Sequence, residues 1–244
     1  MKKLRISAIS YINTLPFVYG LEHYSPNHFE MQLDHPSDCA DKLISGEVDV
    51  GIVPLASLPH IPGGNIISDY CVACDGPVES VILFSDVPVN NIRKIYMDYQ
   101  SRTSVQLVKI LAEKFWNIQP EWIEGTPGYE NKISGLTAGL VIGDRALKMR
   151  GTYRSQYDLG AEWKSYCGLP FVFACWVANR KIEKRMTIHF NAALKYGLDK
   201  LEDIISTHKD NHKINIEHYL KDVISFKIDQ DKRKSMELFL NMIR

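Results

Sequence analysis

The sequence predicts an α/β protein of two lobes that close on a cleft. Three observations carry this reading. Short apolar, β-branched runs alternate with helical stretches, polar loops follow the strands directly, and the chain ends in helices that have no sheet of their own. Alternating strands and helices imply mostly parallel sheets with helices on their faces. Helices without a sheet must bury their apolar faces on an earlier one.

Leu4 to Ile9 reads as a strand, followed by the polar turn Ser10-Tyr11-Ile12-Asn13-Thr14 and a helix starting near Pro16, a residue tolerated in a first turn. Phe29 to Leu33 is a second strand. Pro36-Ser37-Asp38 opens a helix with Ser37 as cap, and Gly46 closes it. Val48 to Val53 is a buried strand stopped by Pro54. Asn65 to Val72, Val78 to Ser85 and Arg93 to Met97 are further strands. Ser101 to Trp116 is an amphipathic helix with Val105, Val108, Leu111, Ala112 and Phe115 on one face. Gly139 to Ile142 and Pro170 to Val177 complete the strands, and helices follow near 182–206, 216–225 and 230–243. This order gives a discontinuous lobe, 1–84 plus 175–244, and an inserted lobe, 85–174. Strands near 80–85 and 171–177 are expected to cross between them. Ligands in such folds sit at the carboxyl ends of strands.

Composition narrows the function. The 244 residues include 45% hydrophobic and 24% charged residues, which is ordinary globular usage. Lys+Arg and Asp+Glu both number 29, so no basic excess argues for nucleic acid. No apolar run approaches the ~20 residues that span a bilayer, so no membrane partner is expected. The start Met1-Lys2-Lys3-Leu4-Arg5 lacks an apolar stretch of secretory length after it, which leads to an expected cytoplasmic location. Five cysteines suit free thiols in a reducing compartment. Cys71 and Cys74 form a C-x-x-C without the helix start of a redox pair or the second pair of a zinc site. The eight histidines show no metal-ligand spacing, so no metal is expected.

Four loops that follow or enter strands are candidates for the cleft. Ser10-Tyr11-Ile12-Asn13-Thr14 is either a ligand loop or a helix-capping turn. Ser80, after Gly76-Pro77-Val78-Glu79, enters a crossing strand. Ser101-Arg102-Thr103-Ser104 opens a helix, where free N–H groups and the helix dipole form a ready anion site. Three hydroxyls and a guanidinium add donors, and Arg102 has the fork to take a carboxylate bidentately. An ordinary cap, with Ser101 accepting from the Ser104 amide, fits the same spacing. Gly143-Asp144 puts a carboxylate at another strand end, facing a substrate hydroxyl or capping its helix through Arg145. Phe171, Phe173 and Trp176 recur in the last strand, as core or as a ligand platform.

These strings together resemble the chorismate dehydratases of the futalosine route to menaquinone. The resemblance is carried by Ser10-Tyr11-Ile12-Asn13-Thr14-Leu15-Pro16, Gly46 to Pro54, Ser101-Arg102-Thr103-Ser104, Gly143-Asp144-Arg145-Ala146-Leu147, Asp158-Leu159-Gly160-Ala161-Glu162-Trp163 and Gly168 to Trp176. It runs in order from near residue 4 to near residue 180, and the C-terminal helices contribute little to it. It implies the type II periplasmic-binding-protein fold, chorismate as the small-molecule substrate, 3-[(1-carboxyvinyl)oxy]benzoate and water as products, and no cofactor. In that picture Asn13 and Ser80 are the catalytic candidates. An amide is a weak base, so a bound water or the substrate itself are alternative proton carriers. Ser10, Tyr11, Ser101, Arg102, Thr103, Ser104, Gly143, Asp144, Phe171 and Trp176 are the substrate-binding candidates.

Three rivals follow from the same fold. A 1,4-dihydroxy-6-naphthoate synthase is expected to carry a histidine where this chain has Gly143. A non-catalytic receptor for small carboxylates would need export or an anchor, and a regulator's effector domain would need a DNA-binding segment.

Overall fold

A computed structural model describes residues 3–208 and 214–243; the Met1-Lys2 start lies outside them. The first sheet holds six strands, spanning β1 (Leu4–Ile9), β2 (Phe29–Asp34), β3 (Val50–Pro54), β4 (Asn65–Cys74), β10 (Phe171–Ala178) and β11 (Ser225–Lys227), in the order β11-β4-β10-β3-β1-β2. The second holds β5 (Val81–Ser85), β6 (Lys94–Met97), β7 (Glu121–Glu124), β8 (Thr137–Ile142) and β9 (Ser155–Asp158), in the order β7-β6-β8-β5-β9.

Both sheets are mixed, where mostly parallel sheets were expected. β1 runs parallel to β2 and β3, and β6 runs parallel to β7 and β8. β10 runs against β3 and β4, and β5 runs against β8 and β9. The reason is the path of the chain. β5 and β10 each arrive from the other sheet, across the cleft, so each starts where its parallel neighbours end. Val81 pairs with Ile142 at the end of β8, and Ala174 pairs with Pro54 at the end of β3.

The two strands expected to cross between the lobes do not do so. Each lies wholly within one sheet, and residues 81–84 join the second sheet rather than the first. The crossings are made by residues 75–80 and by α5 (Leu159–Cys167) with the 168–170 turn. The expected strand from Val78 begins only at Val81, because Ser80 still belongs to a tight turn in which its N–H donates to the Val78 carbonyl at 2.7 Å.

Helices α1 (Leu15–His23), α2 (Pro36–Ser45), α6 (Lys184–Asp199) and α9 (Gln230–Met242) pack on the first sheet; α3 (Thr103–Lys114), α4 (Gly143–Met149) and α5 belong with the second. α2 starts with Pro36 at its first turn and His35 before it, so Ser37 is not its cap, while Gly46 closes it at φ 76° as expected. The C-terminal stretch breaks into α6, α7 (Leu201–Thr207), the short α8 (Ile216–His218) continuing into a π turn at Tyr219–Val223, the edge strand β11, and α9. α1 and α6 cross at their glycines. A Cβ on Gly20 would stand 2.0 Å from the Ala193 carbonyl oxygen, and one on Gly197 would stand 1.7 Å from that of Pro16. Only glycine lets the two backbones approach this closely, and the approach seats the C-terminal helices on the first sheet.

Among the described residues no helix is long and apolar enough to cross a membrane. The five cysteines are free. Cys71 and Cys74 are buried within β4, and burial pushes their thiols well above the ordinary range. No group of three metal-ligating side chains is assembled among the described residues.

Candidate active site

The carboxyl ends of β1, β3, β6 and β8 converge between the two sheets, and a cavity lies there. Tyr11 and Asn13 after β1, Val72 of β4 and Phe173 and Ala174 of β10 line it from the first sheet. Ser80 before β5, Ser101, Thr103 and Ser104 after β6, and Gly143 after β8 line it from the second.

Asn13 and Ser80 approach from opposite sheets and meet at a residue that sequence reasoning missed. The Asn13 side-chain amide donates to the Tyr219 hydroxyl at 3.3 Å, and that hydroxyl donates to Ser80 Oγ at 2.6 Å. Tyr219 sits in the π turn of the C-terminal stretch and is almost wholly buried. Burial raises its phenol far above the usual value, which keeps it a donor. Its only sequence signal is a buried aromatic in a helical stretch, which reads as core. The π turn itself, a feature frequent at functional sites, has no sequence signature here.

The turn carrying Ser80 is held by a carboxylate. Asp158 caps α5 by accepting from Gly160 and Ala161, and it also accepts from the backbone of Val78 and Glu79, the latter at 2.6 Å. Glu79 has φ 61°, a left-handed conformation that a residue with a Cβ adopts at a cost. Burial pushes the Asp158 carboxyl above its ordinary range, against the pull of those four backbone donors.

The helix start at 101–104 performs both jobs its spacing allowed. Ser101 Oγ accepts from the Ser104 amide at 3.0 Å, an ordinary cap, yet Ser101, Thr103 and Ser104 all border the cavity. The Thr103 hydroxyl accepts from the Ala56 N–H at 3.1 Å, which joins α3 to the loop after β3. Arg102 does not join them. Its guanidinium pairs with Asp41 of α2 at 2.7 Å in an exposed groove, outside the cavity. Arg102 stands at the cap position just before α3, and its side chain projects toward α2 rather than toward the cavity.

Further contacts tie the sheets together around the cavity. The Tyr11 hydroxyl donates to Gln100 Oε1 at 2.6 Å, and that oxygen also accepts from Arg145, which pairs with the fully buried Asp98 at 2.7 Å. Asp144 accepts from the Ile12 N–H at 3.2 Å and does not border the cavity. It clasps the β1 loop, and burial raises its carboxyl above the usual range. Gly143, at φ 65°, lies against Tyr11, whose ring carbons would be 2.8 Å from a Cβ there.

Three other expected contacts lie elsewhere. Ser10 is exposed and does not border the cavity; its backbone N–H donates to the Asp34 carbonyl. Phe171 packs against Trp163 and Phe239, each with ring centroids 5.2 Å away. Trp176 sits among Phe17 and Phe190 in the core. Phe173 borders the cavity instead. The register of β10 on β4 slips between Val172 and Ala174, so Phe173 is the extra residue of a bulge. Bulges re-aim side chains, and this one turns both Phe173 and Ala174 to the cavity.

The menaquinone biosynthesis family model matches residues 4–244, nearly the whole chain. The chain belongs to the menaquinone biosynthesis family. Two curated relatives within reach of this family member carry the name chorismate dehydratase. The protein from Thermus thermophilus is 27% identical, covering 84% of this chain and 87% of that one. The protein from Campylobacter jejuni is 26% identical, covering 95% and 94%. Among solved structures, protein AF1704 from Archaeoglobus fulgidus superimposes with a TM-score of 0.74 at 13% identity, covering 98% of this chain and 96% of that one. The periplasmic aliphatic sulphonate binding protein SsuA from Escherichia coli gives 0.60 at 15%, covering 99% and 86%. The menaquinone-family chain thus has the type II periplasmic-binding-protein fold.

Proposed function

We propose that this chain is a chorismate dehydratase, converting chorismate to 3-[(1-carboxyvinyl)oxy]benzoate and water in menaquinone biosynthesis. The observation that carries the reading is its similarity, over most of its length, to relatives of that name. The cavity agrees with it, being small, walled by apolar side chains, and set with hydroxyl and amide groups on two opposing faces.

In the reaction a proton leaves the ring carbon bearing the enolpyruvyl ether, and hydroxide leaves the neighbouring carbon. Together they make the water released, so the step needs no oxidant or reductant. The developing charge delocalises through the ring into the ring carboxylate. Donors fixed at the start of α3, the Thr103 and Ser104 side of the cavity, stabilise that charge most as it forms, which is how a preorganised site accelerates a step. Asn13 and Ser80 then stand at the reacting carbons, with Asn13 or a water it holds taking the proton.

We take the two sheets with their helices as the two lobes, which separate to admit chorismate. The buried free thiols suit a reducing compartment, and we place the enzyme in the cytoplasm. The reading is tested by following aromatisation of chorismate in the ultraviolet with wild type, Asn13→Ala and Ser80→Ala. Turnover by wild type and its loss in both variants supports the assignment; near-normal rates in the variants remove both residues from the mechanism.

A further inference from the structure

We propose that Tyr219 is a positioning residue that decides which atoms of Asn13 and Ser80 face the cavity. Its part in the reaction rests on the dehydratase reading; its geometry does not. A phenol has one proton to give and lone pairs to receive. Tyr219 gives its proton to Ser80 Oγ at 2.6 Å and receives from the Asn13 amide nitrogen at 3.3 Å. An amide nitrogen only donates, so the bond fixes the amide flip and turns Asn13 Oδ1, the acceptor, away from Tyr219. Ser80 Oγ, already accepting from Tyr219, keeps its own proton for another partner. One buried hydroxyl thereby presents an acceptor on one lobe and a donor on the other, both at the cavity wall.

Two features show that Tyr219 is held for this. It is almost wholly buried and does not border the cavity, so it acts only through its neighbours. The residue before it, His218, reaches Glu79 Oε1 at 3.3 Å with Nε2, so the C-terminal stretch is tied twice to the turn that carries Ser80. The chain just after the π turn joins the first sheet through β11. The C-terminal stretch thus contributes to the site from outside the two segments that carry Asn13 and Ser80.

The test uses the full chain and Tyr219→Phe, which removes the hydroxyl and keeps the ring. Kinetics with chorismate should show kcat lower by on the order of 10–100-fold, the scale of a small misplacement of reacting groups. KM should stay within about twofold, since no ligand contact is lost. A risen KM with unchanged kcat, or no change in either, overturns the proposal. Nuclear magnetic resonance of the wild type supplies the second readout. An Asn13 side-chain N–H, identified by its loss in Asn13→Ala, should be protected from exchange with solvent, and in Tyr219→Phe it should shift and lose protection. An unprotected Asn13 amide in the wild type overturns the proposal even if the variant does not fold. Failure of the wild type to turn over chorismate sinks the dehydratase reading, and the resonance arm still decides on Tyr219.

Discussion

The Asp158 carboxylate accepts the backbone N–H of Glu79 at 2.6 Å while it caps the helix that begins at Leu159. One side chain therefore holds both the left-handed turn before Ser80 and the start of α5. Asp158→Ala removes a cap, worth about 1 kcal/mol. It also leaves the Val78 amide, the buried one of the two it holds in that turn, short of an acceptor, at about 1–3 kcal/mol for a buried donor. Urea unfolding should show a loss of about 2–4 kcal/mol, and turnover should fall with it as the Ser80 turn relaxes. A loss of stability with turnover intact would show that the turn is fixed by something else.

Arg102 faces Asp41, so its removal should matter little to turnover. Exposed ion pairs contribute about 0–1 kcal/mol, and Arg102→Ala should keep kcat/KM within about threefold. Thr103→Ala or Ser104→Ala should cost on the order of 10²–10³ in kcat if these hydroxyls act as oxyanion donors. Steady-state kinetics on the three variants separates the two sides of one helix start.

Phe171 and Phe173 should respond in opposite ways. Phe171→Ala opens the core beside Trp163 and Phe239 and should lower stability by about 3–5 kcal/mol. Phe173→Ala alters the cavity wall, so its main effect should be on KM, with a smaller drop in the thermal midpoint. Thermal unfolding and kinetics on both variants check the contrast.

Asp49 sets the expected acid sensitivity. Burial alone would raise its carboxyl, but hydrogen bonds from Arg5 and Arg180 outweigh it and hold the group at about 2, below its ordinary 3.8. A depressed native value means that its stabilisation is complete above 3.8 and is lost as the pH falls toward 2. The stability gap between wild type and Asp49→Asn should therefore be constant near neutrality and narrow through that window in urea titrations at stepped pH.

Much of this molecule was legible in the sequence because local rules agreed with tertiary ones. The strands at Leu4 and Phe29, the strand expected from Val48 and found from Val50, the glycine stop at Gly46 and the helix after Ser101 all follow from pattern and capping chemistry. So does the meeting of the loops at 11–13, 101–104 and 143 at strand ends, once two lobes are assumed. What was hidden depends on register and on distant chain. Period two places Phe171 and Phe173 on one face, and their rings do meet at 4.7 Å, but only the bulge between Val172 and Ala174 brings the adjacent Phe173 and Ala174 to the cavity together. The antiparallel sense of β5 and β10 follows from where the chain crosses the cleft, which no window of residues records. β7, β9 and β11 are three to four residues long, too short for a periodic signal. Tyr219 lies 139 residues from Ser80, in a π turn with no signature of its own.

The most direct measurement of the central claim is a mass analysis of purified protein incubated with chorismate. The expected result is conversion to a species lighter by one water, with the enolpyruvyl group retained and the ring aromatic. Chorismate recovered unchanged after incubation with folded protein, whether bound or not, would contradict it.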